Sequence, residues 1–171
     1  MPPAGLVPAG YQNLPMQLTA DQQKTKAAII ERLLAIKQNS YANLMTMQQL
    51  DAGEAQETME EDHNLYEDGK VDQSYNRVEA RAGALDALQR DINILSNLEA
   101  IDPTEEIQLG DVIETDQGHF FVAVPADEFE VDGVAYRGIS TDSPLFQALL
   151  GKHNGDRVEL NGTGYTLKNS F

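Results

Sequence analysis

Residues 56–70, QETMEEDHNLYEDGK, hold the densest set of chemically capable side chains in the chain. Six carboxylates, Glu57, Glu60, Glu61, Asp62, Glu67 and Asp68, stand there against a single lysine, Lys70. Crowded carboxylates are hard oxygen donors, suited to a hard cation such as magnesium, and one or two of them can share an ion with oxygen ligands from a second molecule. The same run also reads as a plain solvated face, the commoner meaning of an acidic cluster. Alone, such a turn would make a poor enzyme, because nothing around it excludes water or grips a substrate. Its chemistry would need a partner's cavity.

The rest of the sequence narrows the alternatives. With no cysteine, disulfides, thiolate catalysis and cysteine-ligated metal sites are excluded, and a reducing compartment fits. His63, His119 and His153 have no metal-ligand spacing. No serine sits in a nucleophile-elbow pattern, and no glycine loop resembles a phosphate cradle. The methionines read as packing residues. A formal net charge of −16, half of it carried by residues 51–72, repels phosphate backbones. Direct, sequence-independent nucleic-acid binding is therefore not expected, and the partners should be basic surfaces or metal ions. The first residues lack the basic start and unbroken apolar stretch of a signal peptide, and no run reaches membrane-spanning length. A soluble, cytoplasmic protein with no membrane partner is expected.

The acids need elements to hold them, and proline marks where these lie. Proline falls at 2, 3, 8 and 15 and then not before 103, which leaves room for long helices between. Val78, Leu85 and Ile92 recur every seven residues, with Leu88 and Leu95 three places after the last two, as a coiled-coil seam requires. Arg81 occupies the remaining seam position. Upstream, Ile29, Leu33, Ile36, Met47 and Leu50 share one register, while Ile30, Leu34, Tyr41 and Leu44 form a competing stripe. Thr19 or Asp21 would cap the first helix, and the second should end before Asp102-Pro103. These features predict an antiparallel α-helical coiled-coil hairpin over residues 19–102, with its acidic tip near 56–69, where Gly69 and the Asp-His-Asn cluster break the pattern. Residues 1–18 read as a flexible tail. The hairpin can satisfy its own seam, so a monomer is expected.

Beyond Pro103 the period changes to that of strands: DVIET, HFFVAV and FEV, then VAYRGIS after Asp132-Gly133, and RVEL and YTL on either side of Asn161-Gly162. Between these hairpins Ser143 reads as a helix N-cap with Pro144 at the first helical position. Leu145/Leu149 and Phe146/Leu150 make i,i+4 pairs, and Gly151 stops the helix. Residues 103–171 are expected to form a compact antiparallel sheet carrying one short helix, making the fold class α+β.

Residues 139–160, ISTDSPLFQALLGKHNGDRVEL, resemble the signature of the bacterial Gre-type transcript-cleavage factors: Ser-Pro, a short helix, Ala-Leu-Leu-Gly-Lys, then Gly-Asp before a strand. The resemblance covers most of residues 20–171 and implies an FKBP-like second domain after the coiled-coil hairpin. It implies an accessory factor, not an enzyme: one that docks on RNA polymerase at the rim of the secondary channel and inserts the acidic tip. There the tip acids would help hold a magnesium ion shared with the polymerase and stimulate its cleavage of backtracked RNA. Matching the family's tip on Tyr66 and Lys70 sets Asp62 at its first glutamate, with Glu60 and Glu61 next in line and Glu57 a weaker candidate. Met59 stands where the family carries an aspartate, a departure that favours the alternative reading, a non-cleaving regulator of the same channel. Asp142, Ser143 and Pro144 are the candidate docking residues, or else a helix cap. A peptidyl-prolyl isomerase and a plain coiled-coil adaptor are the readings from other classes.

Overall fold

A computed structural model describes residues 17–61 and 68–171, and within 54–75 only the helical backbone. The fold is α+β. Helix α1 runs from Ala20 to Glu61 and α2 from Asp68 to Ser96, followed by a 3-10 turn at Leu98–Ala100. Strands β1 (Val112–Thr115), β2 (Gly118–Val122), β3 (Ala126–Val131) and β4 (Val134–Ile139) come next, then α3 (Pro144–Leu149), β5 (Arg157–Leu160) and β6 (Thr163–Ser170). Among the described residues no helix is long and apolar enough to cross a membrane.

Thr19 opens α1 through a reciprocal pair of hydrogen bonds. Its Oγ1 accepts from the Gln22 N–H at 3.1 Å and its own N–H donates to Gln22 Oε1 at 3.0 Å, a capping box that satisfies two donors at the helix start. Asp21 follows in the first turn, where its charge complements the helix dipole. Thr19→Ala should lower the unfolding free energy by about 1 kcal/mol. A urea midpoint equal to that of the wild type would show that the box contributes nothing.

The described residues divide into two compact units, one comprising those up to Leu33 together with Ile94–Phe171, the other those within Leu34–Asn93. In the second unit two ion pairs join the helices: Lys37 Nζ to Asp91 Oδ2 at 3.1 Å, and Arg81 to Asp51. The order is opposite along the two helices, as an antiparallel pair requires. Arg81 also donates to the Met47 carbonyl oxygen at 3.1 Å, so the cation at the seam position is satisfied. Met47 and Leu50 are exposed, at 51% and 64%, whereas Leu34, Tyr41 and Leu44 are half-buried. Ile36 is half-buried too, so the first register holds through Ile36 and is corrected at Met47 and Leu50, where α1 turns the competing stripe inward through Tyr41 and Leu44. Gly69 does not interrupt helix; it lies in the first turn of α2.

In the first unit the six strands form one sheet in the order β3-β4-β2-β1-β6-β5. The expectation of an antiparallel sheet is corrected, because β2 and β4 pair in parallel, with Phe121 opposite Gly138. After β2 the chain crosses the end of β4 through residues 123–125, held by the Ala123 N–H donating to the Ile139 carbonyl at 2.8 Å. It then forms β3 on the outside and returns through Asp132-Gly133, which slots β4 between β3 and β2. Both residues of that turn have positive φ (50° and 80°), as do Asn161 and Gly162 (52° and 79°) between β5 and β6, the geometry that two-residue hairpin loops favour.

On one sheet face Ile113, Phe120, Val122 and Leu167 pack with Leu145, Phe146 and Leu149 of α3 and with Ile107. Val112 and Phe121 sit one residue out of phase, so they point to the other face, and both are fully buried. Ile29, Ile30 and Leu33 of α1 and Leu95 and Leu98 around the end of α2 are buried side chains that the long helical segments give to this unit.

Candidate functional site

Helical backbone continues to Glu61 and resumes at Asp68, so the acidic stretch is helical at both of its ends. Glu57, Glu60 and Glu61 lie on the last turns of α1, with Glu57 and Glu61 one helical repeat apart. Asp62, His63 and Asn64 lie outside the described residues, as do the side chains of Glu60 and Glu61. Among the described residues no group of three His, Asp or Glu could hold a metal ion. His119 packs against Tyr136, ring centroids 5.7 Å apart.

The docking candidates come together at the start of α3. Ser143 has the extended backbone of an N-cap (φ −61°, ψ 136°) and Pro144 follows at the first helical position, but the Ser143 hydroxyl makes no capping hydrogen bond. The turn is closed instead by backbone, Ser143 N–H to the Ser140 oxygen and Gln147 N–H to the Ser143 oxygen, each at 3.0 Å. Gln147 Nε2 adds a bond to the Thr141 oxygen at 2.8 Å. Asp142 and Pro144 are exposed and Ser143 is half-buried. At the other end Leu150 has left the helix and is 41% exposed, so its pairing with Phe146 forms no part of the core. Gly151 takes a φ of +74°, open to it without a Cβ, and stops α3 as expected.

Two further places were not legible beforehand. In the first unit a cleft of about 230 Å³ is walled by Leu18, Ile30, Leu98 and Leu109 and has Lys26 and Asp111 at its polar side. Lys26 Nζ stands 3.6 Å from Asp111 Oδ1, with 15% and 2% of their side chains exposed. That exceeds hydrogen-bond length, and Oδ1 has no hydrogen-bond partner among the described residues, while Oδ2 accepts from the Gln108 N–H at 3.1 Å. Burial pushes the Asp111 carboxyl up to about 6, with Lys26 and the Gln108 N–H pulling it back. Burial lowers Lys26 as well, against the pull of Asp111. The two residues are distant in sequence and neither belongs to a motif. The second place is a polar cavity of about 320 Å³ on the sheet, bordered by His119, Phe120, Tyr136 and Tyr165, with Arg137 and Glu128 beside them. It collects aromatic residues that are scattered along the sequence.

No family model matches the chain, and neither a curated protein nor a solved structure matches it.

Proposed function

We propose that this chain is a transcription elongation factor: a divergent Gre-type protein that binds RNA polymerase and stimulates cleavage of backtracked RNA. The observation that carries the reading is the ordered pattern of residues 139–160, Ser143-Pro144, then Ala148 to Lys152, then Gly155-Asp156 ahead of β5. It is supported by the order of elements, two long helices followed by a sheet with one short helix starting at Pro144. In this reading the helices form a coiled-coil hairpin, the sheet domain is FKBP-like and docks on the polymerase through Asp142, Ser143 and Pro144, and the acidic end enters the secondary channel. The factor works as a cytoplasmic monomer and is not itself the enzyme.

The chemistry asked of the acids is modest. Glu60, Glu61 and Asp62 are hard oxygen donors that fit magnesium, and helical backbone through Glu61 sets the first two at the end of α1. Bound between factor and polymerase, the ion would supply charge stabilisation to the attacking and leaving oxygens. The carboxylates complete the ion's ligand set and orient a water toward the RNA. Neither task is possible on the open helix end, so the polymerase cavity supplies the exclusion of solvent.

Met59, at the position of the family's aspartate, favours a second reading, a regulator that occupies the channel without promoting cleavage. A stalled complex with extruded RNA 3′ end separates them. The cleavage reading expects faster shortening of the RNA in magnesium with the wild type, lost in Glu60→Ala/Glu61→Ala/Asp62→Ala while polymerase binding persists. Binding with no shortening by either protein gives the channel to the regulator. Absence of binding removes both.

A further inference from the structure

We propose that the helix pair is built to open at one station, residues 47–53 of α1 with 81–83 of α2, where the two helices part more readily than around Ile36 and Ile92. Several separate observations meet there. Gly53 and Gly83 are both helix-interior glycines, and a Cβ added to either would meet nothing within 4 Å. No close approach explains them, and each weakens its helix by its backbone freedom alone. The side chains supply little to offset this. Met47 and Leu50 are mostly exposed, and Leu85 is the single buried hydrophobic residue among those described in Leu34–Asn93. Where a seam residue would pack, Arg81 pairs with Asp51 and the Met47 carbonyl. Gln48 Oε1 is buried with no hydrogen-bond partner among the described residues, a cost that opening relieves.

The ion pair, the unsatisfied amide and the glycines act in one direction. Arg81 and Asp51 hold the register while the pair is closed, since their geometry allows one axial alignment. They bury little apolar surface, so closure there is held chiefly by polar contacts that water can replace. Segments with few buried apolar contacts open with low free energy, and glycine is a recurrent site of helix bending. The inference concerns the helix pair itself and holds whatever the pair is inserted into.

Native-state hydrogen exchange on the full chain tests it. In the wild type, amides 48–56 and 79–84 should exchange faster than amides 36–43 and 86–93, with a step at the station. Gly53→Ala/Gly83→Ala should slow the first set by about 30-fold, from roughly 1 kcal/mol for each replacement, and leave the second set unchanged. Because alanine favours helix and meets no neighbour, the variant should fold. Uniform protection along both helices, or a smooth decline with no step, would overturn the proposal. So would a step that the double replacement leaves untouched.

Discussion

Gly138→Ala is expected to destabilise the protein by about 3 kcal/mol, the upper end of what overpacking a tight site costs. A Cβ there would lie 2.8 Å from Ala126 Cβ and 2.9 Å from Ala126 N, and closer still to the Val124 carbonyl oxygen. Two of these three atoms are backbone, and the third is fixed to it. Nor can β4 move away, because Gly138 is paired with Phe121 on one side and Ala126 on the other. The methyl group fits only if the crossing segment lifts, which strains the Ala123–Ile139 hydrogen bond and the buried Val124. For a chain of this size the loss corresponds to a melting temperature lower by roughly 9 °C.

Gly164→Ala is the natural comparison. The three atoms nearest its Cβ would all belong to the guanidinium end of Arg157, a flexible group that can swing aside, so the cost should stay below about 1 kcal/mol. Urea unfolding of both variants decides the matter. Equal, small losses would mean that the crossing segment yields easily and that Gly138 is not what permits the parallel pairing.

That glycine also shows what could be read beforehand and what could not. The hairpins at Asp132-Gly133 and Asn161-Gly162 were legible because each turn is specified by the two residues that make it. So was α3, started by Pro144 and stopped by Gly151. The parallel pairing of β2 with β4 was not, since it depends on residues 123–125 passing over a glycine that looks, in sequence, like any other strand glycine. In α1 two apolar stripes were present and pattern alone did not choose between them. Polar pairing between helices leaves Met47 and Leu50 in solvent while Leu34, Tyr41 and Leu44 turn inward, a choice made by the partner helix. Of the candidate site, the residue types could be read from 56–70, and the helical placement of Glu57, Glu60 and Glu61 came from the fold. The Lys26–Asp111 pair had no signal, because a salt bridge between distant residues leaves no local pattern.

That pair should make stability depend on pH in a way a single substitution exposes. Asp111 has its folded pKa raised from 3.8 to about 6 by burial. A carboxyl raised in the folded state contributes stability that is full below the unfolded value and lost as pH rises through the folded one. Between about pH 4 and pH 6 the wild type should therefore lose stability at this group, and above that Lys26 limits the loss by facing an ionised carboxylate. The other charged residues bordering the cleft, Asp102 and Glu99, are acids, so among the described lining residues Lys26 is the cation that faces Asp111. Lys26→Met removes the cation that pulls the Asp111 carboxyl down, so at alkaline pH Asp111 must either stay charged without a partner or take up a proton. At pH 8 the expected cost is about 3 kcal/mol, typical of breaking one partner of a buried pair. At pH 5 Asp111 is mostly protonated in the folded wild type, so the attraction is already weak and the same substitution should cost under about 1 kcal/mol. Urea unfolding at the two pH values measures the difference directly. An equal cost at both would show that Lys26 contributes its hydrocarbon stem and nothing electrostatic. Asp111→Asn supplies the complementary check, because it should abolish the decline in stability between pH 4 and pH 6.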